Sequence, residues 1–320
     1  MAERTPKLAF LAWATLVYNV LVILWGAFVR ATGSGAGCGA HWPLCNGEVV
    51  PQSPTMATII ELTHRVTSGA AGLLAIGLCI AAWRATRKGA SVRRAAAWVL
   101  FLEITEGAVG ASIVLLRYVG TDASAPRAIW VAAHLTNTFF LLVMLVITAL
   151  RASGIEPASV PASPIRKRLI ALAIGLSILV GIAGAITALG DTLFPSTSLA
   201  SGMAADLSTA AHFLIRLRVL HPILAVTTAL VLAGIAGTAT LGAPSIELRR
   251  AAIAVVATQL AQIACGLVNL VLLAPIAMQM LHLLLADVAW IALVVFADRW
   301  LAEPASIVAR TGEALRAPSA

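Results

Sequence analysis

The sequence predicts an all-α integral membrane fold: eight transmembrane helices in two four-helix bundles, related by a pseudo-twofold axis along the membrane normal. Three observations carry this expectation. The 320-residue chain is 60% hydrophobic and 11% charged, with a mean hydropathy of +0.95, whereas a soluble domain is about 45–50% apolar and about 25% charged. Eight apolar runs each reach the roughly 20 residues that a spanning helix needs. The first four runs resemble the last four, and a unit with an even number of spans repeats the same way up.

Backbone groups in lipid must be paired within their own segment, so the runs are helices. They are expected at about 8–30, 58–83, 95–116, 127–150, 168–189, 213–240, 251–274 and 276–298. The first, Leu8 to Val29, lacks an A-x-A-like cleavage site and is expected to remain as a span. The organisation follows as an N-terminal half at 1–152, a linker rich in Pro, Ser and Ala at 153–164, a C-terminal half at 165–302 and a tail at 303–320.

Lys and Arg set the orientation. Sixteen fall on one side, from Arg4 and Lys7 through Arg84 to Arg94, Arg151 to Arg168, Arg249 and Arg250 to Arg299, Arg310 and Arg316. Six fall on the other: Arg30, Arg65, Arg117, Arg127, Arg216 and Arg218. Both termini are therefore expected in the cytoplasm, with the chain crossing the cell membrane and even-numbered spans starting at the outer face. The net charge of +8 is this topology signal, answered by anionic lipid; it calls for no nucleic acid.

The halves match at the residues that bear chemistry. Gly26-Ala27-Phe28-Val29 echoes Gly184-Ala185-Ile186-Thr187, and Glu103-x-x-Glu106-x-x-x-Gly110 aligns with Gln259-x-x-Gln262-x-x-x-Gly266. His64 aligns with His221, and His134 with His282. Each histidine lies a turn or two inside the start of an even-numbered span, so all four share one depth, roughly 10 Å below the outer helix ends. An ionisable side chain inside a span marks a functional site by default. Two imidazoles facing each other across a bundle can ligate a haem iron axially, so the pairs His64 with His134 and His221 with His282 suit two haem-sized sites. Zinc would need three or four converging ligands, and a proton relay leaves the duplication unexplained. His41 lies in the first outer loop and His212 nine residues before His221; both are expected in loop or interface roles.

Departures from symmetry suggest different jobs for the halves. Three residues before His64 stands Glu61, and three before His221 stands Arg218, each sharing a helix face with its histidine. Arg216 and Arg218, and Arg65 for the first site, are candidates to pair with haem propionates. Glu61 would repel a propionate and suits chemistry instead, as a proton acceptor or a stabiliser of positive charge. Glu103 and Glu106 either relay protons or hydrogen-bond across helices. The outer loop at 31–57 is rich in glycine, carries Cys38 and Cys45, and reads as a lid over the first site. An oxidising outer compartment favours a Cys38–Cys45 disulfide.

Arg30-Ala-Thr-Gly-Ser-Gly-Ala-Gly-Cys38, Trp42-Pro-Leu-Cys-Asn-Gly47, Glu61-Leu-Thr-His-Arg65 and Gly184-Ala-Ile-Thr-Ala-Leu-Gly-Asp-Thr192 closely resemble the haem A synthase family. The resemblance spans all eight runs. It implies oxidation of a methyl group of haem O to a formyl group, giving haem A for terminal oxidases. It implies that His64 and His134 bracket the substrate haem O, that His221 and His282 ligate a resident haem B, and that Glu61 is the essential acidic residue. Cys38 and Cys45 match the loop cysteine pair of one branch; the second pair of some relatives is missing after Gly190. Haem O would be handed over by a haem O synthase, electrons would pass to or from an external partner, and a homo-oligomer is compatible with the pattern. The competing readings are a di-haem b-type membrane electron-transfer protein and a transporter built on a parallel repeat.

Overall fold

A computed structural model describes residues 5–157, 162–241 and 244–303. Arg4, the middle of the expected linker and the tail beyond 303, with Arg310 and Arg316, lie outside the described residues. Among those described, eight helices are long and apolar enough to cross a membrane. In chain order the elements are α1 (Pro6–Ala31), α2 (Met56–Ala85), α3 (Ser91–Leu115), α4 (Ala125–Ala152), α5 (Pro164–Leu193), α6 (Leu199–Leu207), α7 (Phe213–Arg216), α8 (Leu220–Ala239), α9 (Ile246–Val271) and α10 (Ile276–Ala302).

Helix starts follow local chemistry. Thr55, Ser124, Ser163 and Ser245 each accept a hydrogen bond from a backbone N–H in the first turn of the helix they precede, which satisfies an otherwise orphaned donor. Proline stands in the first turn of α1, α4 and α5, where its missing N–H costs nothing.

One expected span differs. The run at 213–240 is not a single helix: α7 gives way to a 3-10 turn at Leu217–Val219 before α8 begins. Pro222 supplies the reason, because its ring collides with the carbonyl four residues earlier and it donates no hydrogen bond. Residue 218 is that position, and it sits in the turn. The short helix α6 was also not expected from hydropathy.

In the first half, α1 packs on α2 and α4, α2 on α3, and α3 on α4, closing a ring of four. In the second, α5 packs on α8 and α10, α8 on α9, and α9 on α10. The halves meet through α1, α4, α5 and α10. Midway along this seam, Phe139 stacks on Trp290 with ring centres 4.6 Å apart, and the Trp290 indole donates to the Phe139 carbonyl at 2.9 Å. The Phe139 ring fills the space above Gly181, where a Cβ would stand 2.5 Å from it. At one end of the seam the buried Arg151 pairs with Asp298. At the other, Arg30 of α1 donates to Ala188 O and Thr192 Oγ1, both at 2.6 Å, and to Gln279 Oε1 at 3.0 Å. Phe10, Leu73 and Leu230 are among the large apolar side chains left on the outer surface, as lipid-facing positions should be.

Candidate functional site

The four histidines hold matching places. His64 is the ninth residue from the start of α2, His134 the tenth of α4 and His282 the seventh of α10; His221 is the ninth counted from Phe213. Each ring is half-buried. His134 Nδ1 faces the Glu106 carboxyl group, whereas the Nδ1 of His64 and of His282 is buried with no hydrogen-bond partner among the described residues, and a buried polar atom without a partner costs about 1–3 kcal/mol.

Each ring rests on a glycine of the preceding span. An added Cβ would lie 2.8 Å from His64 Cε1 at Gly26, 2.9 Å from His221 Cε1 at Gly184 and 2.9 Å from His282 Cε1 at Gly266. Gly110 leaves more room beside His134, at 3.7 Å. These are the glycines that align in the two halves. Their alignment was the available signal.

His221 and His282 come together with ring centres 6.2 Å apart and planes at 87°. Two imidazoles ligating one first-row metal from opposite sides, at about 2 Å from nitrogen to metal, hold their ring centres roughly 6 Å apart. The second pair therefore fits an iron between its rings. His212 stays apart from both pairs: it caps α7, accepting from Leu214 N at 3.3 Å, and its ring packs between Phe194 and Phe213.

At the start of α2, the loop that joins α1 to α2 packs down on the first half. Cys38 and Cys45 are joined by a disulfide and fully buried. Gly37 lies so close to the start of α2 that a Cβ would stand 2.4 Å from the Ala57 carbonyl, so no other residue fits. Gly35 and Gly120 touch Val119 and Ala36 respectively, carrying the loop across to the α3–α4 connection. Glu61, only 2% exposed, is the anchor. Its Oε2 accepts from Cys38 N at 2.8 Å, and its Oε1 accepts from both Nε and Nη2 of Arg65. Arg65 Nη1 donates onward to His41 O at 2.6 Å and Leu44 O at 2.7 Å. The guanidinium expected to meet a propionate is thus engaged with the lid.

The second half has a cover of its own, built from α6 and the 3-10 turn against α5. Buried Arg218 donates to Asp191 Oδ1 of α5 at 2.8 Å, and its Nε lies 3.0 Å from Asp206 Oδ1 of α6. It ties α6 and the 3-10 turn to the end of α5, so it too is engaged by protein carboxylates. Hydropathy missed these partners because they are short, polar and outside the spans. Arg216 remains exposed and lines an open groove with Asp206, Phe213 and Leu220.

Glu106 reaches the ligand position directly. Its Oε1 lies 3.3 Å from His134 Nδ1 and accepts from Thr138 Oγ1, while Oε2 accepts from Asn137 Nδ2. Its counterpart Gln262 places Nε2 3.4 Å from His282 Nε2. Glu103 Oε2 is buried without a partner among the described residues.

A family model described as cytochrome oxidase assembly protein, COX15-CtaA, matches residues 9–294, which takes in both covers and all four histidines. The chain belongs to this family. With eight helices of spanning length, it is a multi-pass membrane protein. Two relatives, from two strains of Thermus thermophilus, are named protoheme IX farnesyltransferase and are 45% identical over 304 residues, 92% of this chain and 49% of theirs. The chain therefore spans about half the length of these relatives. Heme A synthase of Bacillus cereus, strain AH187, is 41% identical over 109 residues, 33% of this chain and 35% of that protein.

Proposed function

We propose that this chain is a haem A synthase, oxidising a methyl group of haem O to the formyl group of haem A. The observation that carries the proposal is the set of four half-buried histidines inside spans, each ring set beside a glycine of the preceding span, with one pair spaced for an iron. The likeness to a heme A synthase supports the reaction. A relative named for farnesyl transfer to protoheme is about twice as long and resembles this chain over half its length. That pairing supports a farnesylated haem as the substrate and its transfer from a haem O synthase.

In this reading His64 and His134 bracket haem O, and His221 and His282 hold a resident haem B. Bound iron porphyrin supplies one-electron chemistry. The residues do the rest. The disulfide-braced lid closes the first site against water. Glu61, held by Cys38 N and Arg65 one turn before His64, keeps a fixed negative charge close to the substrate ring and stabilises positive charge developing at the reacting carbon. Arg216 is the arginine left to meet a propionate. His221 and His282 would hold the haem that supplies electron exchange with a partner outside the chain. The same reading keeps two halves at 1–152 and 165–302, a pseudo-twofold axis between them, cytoplasmic termini, and both sites toward the outer face.

Co-expression with a source of haem O, followed by pigment extraction, tests this. A haem A peak is expected. Recovery of haem B alone would instead favour a di-haem electron carrier.

A further inference from the structure

The membrane interior of the first half contains a hydrogen-bonded polar network that the second half lacks. Thr105 Oγ1 donates to Asn137 Oδ1 at 2.7 Å, and Asn137 Nδ2 donates to Leu102 O at 3.0 Å and to Glu106 Oε2. Thr138 Oγ1 donates to Glu106 Oε1, the oxygen that lies 3.3 Å from His134 Nδ1. By the spacing that aligns Glu106 with Gln262 and His134 with His282, Thr105 corresponds to Ala261, Asn137 to Leu285 and Thr138 to Ala286. Every polar member of the network is apolar or uncharged in the other half.

Such a network is costly in lipid unless each member is satisfied. Two side chains of α4 converge on one carboxyl group, Thr105 of α3 braces one of them, and the carboxyl group faces one ring nitrogen. An acceptor on the far nitrogen of a metal-ligating histidine fixes its tautomer and orientation and raises its basicity. Contacts of this kind are often long before the ligand is in place and tighten afterwards. A carboxyl oxygen draws the Nδ1 proton more strongly than a carboxamide can. A more electron-rich imidazole stabilises the oxidised iron and lowers its reduction potential.

We propose that Glu106 is a positioning residue for His134, orienting the ring and strengthening its electron donation so that the two haem sites differ in potential. The Asn137, Thr138 and Thr105 side chains hold the carboxyl group in place for this. The proposal rests on the function proposed above, because it takes His134 as an iron ligand. It assigns to α3 the device that separates a site for chemistry from a site for electron exchange, in a molecule whose ligand frame is duplicated.

The test is a redox titration with low-temperature EPR on the purified full chain loaded with haem, in a His221→Ala background that retains the first site alone. Glu106→Gln should raise the midpoint potential of the remaining haem and move its low-spin g-values, and Glu106→Asp should restore part of the shift. Unchanged potential and g-values in Glu106→Gln at parental haem content would overturn the proposal, even if the melting temperature fell. Should Glu106→Gln lose its haem, Glu106→Asp decides, and a potential and g-values equal to the parent's there also overturn it. Absence of bis-imidazole haem from the parent chain would instead overturn the functional reading beneath it.

Discussion

In the first half, the outer cover is a glycine-rich loop stapled by Cys38–Cys45 and pinned through Glu61 and Arg65. In the second half, Arg218 gathers Asp191 and Asp206 without any covalent link. Beneath these covers the frame is repeated: a histidine on each even-numbered span, set on a glycine of the span before. Close approach admits no variation at Gly26, Gly184 and Gly266, so the frame is kept in both halves. The groups around the rings face no such steric limit, and there the halves diverge, with a carboxyl beside His134 and a carboxamide beside His282.

The largest way to break this comparison is at the first cover. Arg65→Ala leaves Glu61 buried and uncompensated, which costs about 3–5 kcal/mol, and frees the His41 and Leu44 carbonyls. Detergent melts should show a large loss of stability, with haem leaving the first site before the second. Next is the staple. Cys38→Ser opens a short covalent loop, for which chain entropy predicts a loss of about 2–3 kcal/mol. The same assay under reducing conditions should destabilise the parent similarly and leave the variant unchanged.

The glycine cradle sharpens the comparison. Gly26→Ala, Gly184→Ala and Gly266→Ala each force a ring to shift, costing about 1–3 kcal/mol and reducing haem content at the affected site. Gly110→Ala has room for its methyl and gains helix propensity of up to about 1 kcal/mol. Its haem content should match that of the parent. Equal losses at all four positions would mean that the contacts do not set the rings.

Much of the fold was legible because a membrane span announces itself by length and composition. Seven of the eight runs became single helices with ends a few residues from those expected, and the run at 213–240 became helical with a 3-10 turn at Leu217–Val219. Where local chemistry rather than hydropathy decides, the sequence reading was incomplete. The break before α8 had a local signal in Pro222, and α6 had only its serine-led start at Ser198. The repeat made it legible that His221 and His282 come together. The work done by Arg30, Arg65 and Arg218 was not, because their partners lie in other elements, up to 249 residues away for Arg30 and Gln279. Glu106 was visible as one half of an aligned pair, but its contact with His134 depends on the packing of α3 against α4, which no local spacing states.

The most direct test of the two-site account is the haem-to-protein ratio of the purified chain, with and without His282→Ala. Two haems per chain are predicted for the parent, and one for the variant, with the survivor retaining the spectrum of two imidazole ligands. A parent with no Soret band, or a variant that keeps both haems, would contradict it.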